Sequence, residues 1–271
     1  MTRLAILLAL VLGGCTAAAA PAPVERDRPT IVSLNPCTDA VLAEVAGPGQ
    51  LLAISHYSQD ARSTSMDPAT ARRLPATGGT VEEVLALKPN VVVAGSFLPP
   101  ATRSAFTRLG IRVETFGIVG DVAASEAQVR ALATLAGHPE RGEELVARIE
   151  AALAANAWRG PPVSAILWQP DGIVPGRDQL VSELMARTGF ASQSAARGMG
   201  QADYLSLESL LADPPRVLLV AGQERMQHHP ALRAVPQMQR AEFAPNLLYC
   251  GGPTIIRAAQ RLGEVRRGVA R

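Results

Sequence analysis

From about residue 30 onward, short unbroken apolar runs alternate with segments whose apolar residues recur at helical spacing. Ile31 to Leu34, Leu51 to Ile54, Val91 to Val93, Ile111 to Phe116, Val163 to Trp168, Val217 to Leu219 and Leu247 to Tyr249 have the content expected of strands covered on both faces. Helical patterns between them, such as Asp39 to Ala46, Pro100 to Leu109 and Leu180 to Arg187, stop at Gly47-Pro48, Gly110 and Gly189. The segment from Ser58 to Gly79 reads as a surface loop with one helical turn near Pro68 to Arg73, and a closing helix runs to about Val265. Helices alternating with apolar strands predict an α/β protein with mainly parallel sheets.

One helix-then-strand unit occurs twice. Thr80 to Val93 and Ser206 to Leu219 align without a gap and share Glu82/Glu208, Leu85/Leu211, Ala86/Ala212, Pro89/Pro215 and Val91/Val217. Each copy opens on a residue suited to cap a helix and stops at a proline, so the duplication predicts two similar Rossmann-like lobes with a cleft between them. Between the copies lie two more helices, Val122 to Ala136 and Pro139 to Ala157. The second carries Leu145, Val146, Ile149 and Leu153 on one face. At helical rise it is a rod of roughly 28 Å, long enough to bridge two lobes stiffly. The chain thus divides into an N-terminal lobe (30–120), a helical connector (121–159) with its bridging helix at 139–157, and a C-terminal lobe (160–271).

The N-terminus follows another pattern. Residues 1–20 have the basic start, short apolar stretch and small residues of a signal peptide, and residues 21–29 form a linker rich in Ala and Pro. Leu12-Gly13-Gly14-Cys15 resembles a bacterial lipobox, which makes Cys15 the lipid-bearing residue and a lipid anchor the expected membrane attachment; cleavage within Ala17 to Ala20 would instead discard it. Nothing after the signal is long and apolar enough to span a bilayer. The 271 residues are 48% hydrophobic, ample for real cores, and a net charge of +2 gives no reason to expect nucleic acid as a partner.

Ile31-Val-Ser-Leu-Asn-Pro36, Glu82-Glu-Val-Leu-Ala-Leu-Lys-Pro-Asn-Val-Val-Val93, Leu109-Gly-Ile-Arg-Val113, Ser206-Leu-Glu208 and Ala258-Ala-Gln-Arg-Leu262 together resemble the extracytoplasmic solute-binding proteins of the helical-backbone class. These serve ABC importers of cobalamin and ferric siderophores, and the resemblance covers residues 30 to 265. It implies two α/β lobes joined by one long helix and a periplasmic or cell-surface monomer. It also implies no intrinsic cofactor, a bulky metal chelate (cobalamin, ferric siderophore or haem) bound between the lobes, and a permease dimer with its ATPase subunits as partner. An enzyme of the metal-chelatase kind shares the two-lobed framework, but the sequence carries no Gly-x-Ser-x-Gly, no phosphate-binding glycine loop after a strand and no His-Glu-x-x-His.

At the strand-to-helix corners stand Asn35, Thr38, Tyr57, Phe97, Trp168 and Cys250. Tyr57 and Trp168 resemble the aromatics that stack on a corrin ring, the alternative being lobe-core aromatics near strand ends. Gly78 and Gly95 occupy positions where cobalamin binders present tryptophans, with Phe97 as a replacement for one. Arg177 and Arg257 are candidates for an anionic chelate. His138, His228 and His229 read as surface residues, which leaves only His56 at a corner, too few ligands for a bare metal ion. Cys37 and Cys250 admit a disulfide, two ligand-contacting thiols or two unrelated small core residues. Glu82 and Glu208, at the second position of each repeated helix, favour the helix dipole; the resemblance further implies that they dock onto arginines of the permease. Glu83, three residues after Thr80, is placed to reach back to the capping residue's amide.

Overall fold

A computed structural model describes residues 28–269, so the signal sequence, most of the linker and Cys15 lie outside the described residues. The N-terminal lobe runs β1 (Ile31–Ser33), α1 (Pro36–Val45), β2 (Leu51–Ser55), α2 (Pro68–Arg73), β3 (Ala76–Thr77), α3 (Val81–Leu87), β4 (Val91–Gly95), α4 (Pro100–Arg108) and β5 (Arg112–Phe116). Its five strands lie in the order β3-β2-β1-β4-β5, every neighbouring pair parallel. Two helices follow, α5 (Val122–Leu135) and α6 (Pro139–Asn156).

The second lobe comprises β6 (Val163–Trp168), β7 (Ile173–Val174), α7 (Leu180–Arg187), β8 (Phe190–Ser192), α8 (Gln193–Ala196), β9 (Asp203–Tyr204), α9 (Leu207–Ala212), β10 (Val217–Val220), β11 (Gln239–Glu242) and α10 (Thr254–Arg267). Its main sheet is parallel in the order β11-β10-β6-β8, while β7 and β9 form a separate antiparallel pair.

The fourth strand of this sheet is not the apolar run at 247–249. It is β11, with the polar sequence Gln-Arg-Ala-Glu, which lies on the sheet edge and needs only backbone pairing to β10. Pro245 to Leu247 instead forms a single 3-10 turn. In the N-terminal lobe the loop after β2 also contributes a two-residue edge strand, β3, too short to leave a periodic signal.

Pro139 occupies the first turn of α6, which buries Leu145, Val146, Ile149 and Leu153. These side chains belong to one apolar core that takes in Val41 and Val93 from the first lobe, Leu167 and Leu219 from the second, and Ile255 and Leu262 from α10. The backbone amide of Val122 at the start of α5 donates to Glu183 on α7 (2.8 Å), so α5 also reaches the second lobe. The bridge between the lobes is therefore a packed layer built around α6. Among the described residues, no helix is long and apolar enough to cross a membrane.

His138, expected at the surface, is buried because the turn between α5 and α6 folds inward. Its ring lies 2.9 Å from Gln50 Oε1 and 3.2 Å from Glu140.

Candidate functional site

In open parallel sheets a ligand crevice opens at the carboxyl ends of the strands, where the strand order reverses. In the first sheet that point lies between β1 and β4, and in the second between β6 and β10. One dipeptide connects the two. Cys250 is joined to Cys37, just beyond β1, by a disulfide with Cα atoms 5.0 Å apart. The hydroxyl of its neighbour Tyr249 donates to Gln169 Oε1, just beyond β6, at 3.0 Å. Partial desolvation of its hydroxyl end raises the Tyr249 phenol in pKa, although most of the side chain is exposed. Both switch points thus face one inter-lobe gap, with residues 249 and 250 at its floor.

Three exposed aromatic residues lie on the loops that follow β2, β4 and β11. Tyr57, in the 3-10 turn after β2, is 58% exposed, Phe97 after β4 is 82% exposed, and Tyr249 is 63% exposed. The ring of Tyr57 is flanked by His56, with centroids 4.0 Å apart. Tyr204, on β9, is exposed as well.

Trp168 does not belong to this set. It is fully buried, its indole N–H donates to the Leu205 carbonyl (3.0 Å), and it packs with Ile166, Leu218, Val220 and Leu232. The cause is its position inside β6: paired to Val220 of β10, it still lies within the sheet, whose faces are covered. Thr38 is buried too, its hydroxyl donating to the Asn35 carbonyl and lying 2.8 Å from that of Ser33, so it holds the start of α1. Cys250, buried and bonded to Cys37, offers no free thiol.

Asn35 is half-buried and caps α1 by accepting from the Cys37 amide (2.8 Å). A Cβ at residue 95 would lie 2.8 Å from Asn35 Nδ2, which gives Gly95 a reason other than ligand shape: the amide of Asn35 fills that place. Arg257 donates to the Ser65 carbonyl, and burial lowers its pKa. Arg177 is exposed. Sequence reasoning placed Tyr249 in a strand and so missed it. The signal was Tyr-Cys-Gly-Gly-Pro, loop chemistry that argues against a strand continuing through the aromatic.

Glu82 and Glu208 are both exposed on the first turns of α3 and α9, whose caps are the hydroxyls of Thr80 and Ser206. Bonds to its own amide and to Ser206 hold the Glu208 carboxyl below the usual range. Glu83 reaches past the capping residue: its carboxylate accepts from the Thr77 hydroxyl and the Gly78 amide, each at 2.7 Å, which tie β3 to α3 and lower its pKa. Among the described residues no three His, Cys, Asp or Glu side chains converge to hold a metal ion.

Two lobes, parallel sheets, bridging helices and an aromatic gap at the strand ends define a solute-binding architecture. The chain belongs to the periplasmic binding protein family, which it matches over residues 31–244. Its fold is similar to that of the periplasmic haem-binding protein RhuT from Roseiflexus sp. RS-1, with a TM-score of 0.68 and 22% identity over 88% of this chain and 96% of that one. A periplasmic haem-binding protein from Pseudomonas aeruginosa gives a TM-score of 0.70 and 22% identity over 90% and 94%. The vitamin B12-binding protein BtuF of Vibrio cholerae gives 0.65 and 17% over 88% and 98%. No curated protein matches the chain in sequence.

Proposed function

We propose that the protein is the solute-binding component of an ABC importer and that it holds one bulky, flat metal chelate between its lobes, against Tyr57, Phe97 and Tyr249. What supports this reading is that the exposed rings of Tyr57 and Phe97 follow the carboxyl ends of β2 and β4, while Tyr249, also exposed, links the two switch points beside the Cys37–Cys250 bond. Flat side chains give a planar ligand contact area at low entropic cost. The solved proteins of this fold named above bind haem or vitamin B12, which supports a tetrapyrrole or corrinoid. Arg257, engaged with Ser65, gives no support to a polyanionic ferric siderophore.

Glu82 and Glu208, one exposed acid per lobe at equivalent positions, suit docking onto a two-fold symmetric permease that presents cations. A lipid on Cys15 would keep the monomeric receptor at the membrane surface, beside that permease.

Absorbance titration of residues 30–271 with haemin and with cyanocobalamin tests the ligand. One of the two should bind at a ratio of one to one. Replacing Tyr57 or Tyr249 by Ala should weaken that binding by about 1 to 3 kcal/mol without unfolding the protein. No spectral change with either chelate overturns the reading.

A further inference from the structure

Beneath the Tyr57 turn lies a charge with no counter-ion. Asp39, on α1, is wholly buried. Its Oδ2 accepts from the Ser55 amide (2.9 Å) and from the Ser58 hydroxyl (2.6 Å). Ser55 caps the 3-10 turn His56–Gln59 and Ser58 lies within it, so one carboxylate oxygen grips the turn that carries Tyr57 at both its start and its middle. The other oxygen, Oδ1, has no hydrogen-bond partner. Burying a carboxylate in this way is costly, and a neutral amide of the same shape would avoid the cost.

Among the described residues, no cation is paired with Asp39. Ser33 faces Asp39 from β1, Ser55 from β2, and Ser58 from the turn, where His56 and Tyr57 are the neighbouring titratable groups. Met66 and Ile54 pack beside Ala40 on the loop side, where Arg257 of α10 and Asp67 also border α1 and Arg257 is engaged with the Ser65 carbonyl. From β4 and α5, Val91, Val93, Val129 and Leu132 face α1, and the arginines of α6 nearest α1 are engaged elsewhere: Arg141 with the Ala46 carbonyl and Arg148 with Glu44. Among the described residues, burial and hydrogen bonds alone set the behaviour of Asp39.

We propose that Asp39 is a positioning residue for the cleft: ionised, it clamps the His56–Gln59 turn and holds Tyr57 in its ligand-facing place, and protonated, it releases the turn. Hydrogen bonds to a carboxylate are shorter and stronger than those to a neutral carboxyl, so protonation weakens both grips at once, while the side chain stays buried on α1 and the desolvation that favours its neutral form over the unfolded chain is unchanged. Desolvation raises the group to a pKa of about 7, against which the hydrogen bonds work, so the switch falls where the pH outside a cell commonly varies. A ligand resting on Tyr57 is then held more firmly above neutrality than below it. That last consequence rests on the proposed function, whereas the clamp itself does not.

The test therefore begins without ligand. In residues 30–271 carrying ring-13C tyrosine, the chain has three tyrosine signals to follow, and Tyr57→Phe identifies one of them. His56→Gln removes the stacked imidazole as a second source of pH dependence. In that background the Tyr57 signal should move with a single inflection near pH 7 while Tyr204 and Tyr249 hold still. Adding Asp39→Asn should abolish the inflection, and Ser58→Ala, which keeps the carboxylate but cuts its shorter bond, should leave the signal near its acid position at all pH. A Tyr57 signal flat across neutrality, or an inflection that survives Asp39→Asn, overturns the clamp. If haemin or cyanocobalamin binds, its affinity should fall on acidification in His56→Gln and not in His56→Gln/Asp39→Asn; an identical fall in both overturns the link to binding. Failure of both chelates to bind speaks against the ligand class alone, because the tyrosine spectra still decide on the clamp.

Discussion

Breaking the Cys37–Cys250 bond is the perturbation with the largest predicted effect that leaves every core side chain in place. The two residues are 213 positions apart, so the bond closes nearly the whole described chain into one loop. In the chain-entropy account, closing a loop of that length in the unfolded state is worth about 5 kcal/mol. Domains of this kind are stable by about 5 to 15 kcal/mol in total, so reduction should leave a protein near the margin. The shared core around α6, which does not depend on the bond, opposes this loss. Guanidinium unfolding of residues 30–271, followed by the fluorescence of Trp158 and Trp168, should give a clearly lower midpoint with dithiothreitol than without. The variant Cys37→Ser/Cys250→Ser should match the reduced protein. Thiol titration of the unfolded, non-reduced protein should find no free thiol. Superimposable oxidised and reduced curves, or two free thiols, would refute the reasoning.

Trp168→Ala should cost about 3 to 5 kcal/mol of stability, since it empties a buried site and orphans the Leu205 carbonyl, whereas Tyr57→Ala should stay within about 0.5 kcal/mol; urea midpoints compare the two. Asp39 has a folded-state pKa of about 7 against an ordinary 3.8, so its protonated form stabilises the fold. That contribution is complete below the ordinary value and is lost as pH rises through about 7, on the order of 4 kcal/mol across the window. The stability of Asp39→Asn relative to the parent should therefore rise between those two pH values, and equal slopes in urea unfolding across pH would contradict it. Glu82→Lys/Glu208→Lys should bind the chelate as the parent does and yet stop its uptake in vesicles reconstituted with the permease. Undiminished uptake would remove the docking role.

The α/β class, the two lobes and α6 were legible because long helical patterns and β-rich runs such as Val91 to Val93 leave periodic signals that survive without tertiary information. The edge strands β3 and β11 left none: β3 is two residues long and β11 is polar, because a strand at a sheet margin is held by its backbone; β5, also at an edge, was legible because Ile111 to Phe116 is a longer, more apolar run. Among site residues, Tyr57 and Phe97 were visible as aromatics at corners that the strand pattern located. Trp168 illustrates the limit. Whether the last residue of an apolar run is the final core position or the first one outside depends on where its partner strand ends, and Val220 sits beside it. Asp39 and Tyr249 were beyond reach for a related reason. The burial of one and the hydrogen bond of the other depend on residues up to 80 positions away.

The interdigitated layer of α5, α6 and α10 gives the receptor a stiff spine. Hinged receptors that gape when empty and clamp when full announce their cargo by shape, and a permease can reject the empty ones. Lobes that share a core and a covalent strap have no such range of motion, so the filled and empty receptors present nearly the same outline to the membrane. An importer served by such a receptor would meet empty and loaded copies as near-equal competitors for its docking surface. Its rate of uptake would then follow the fraction of receptors that are loaded, and an excess of empty receptor would act as its inhibitor.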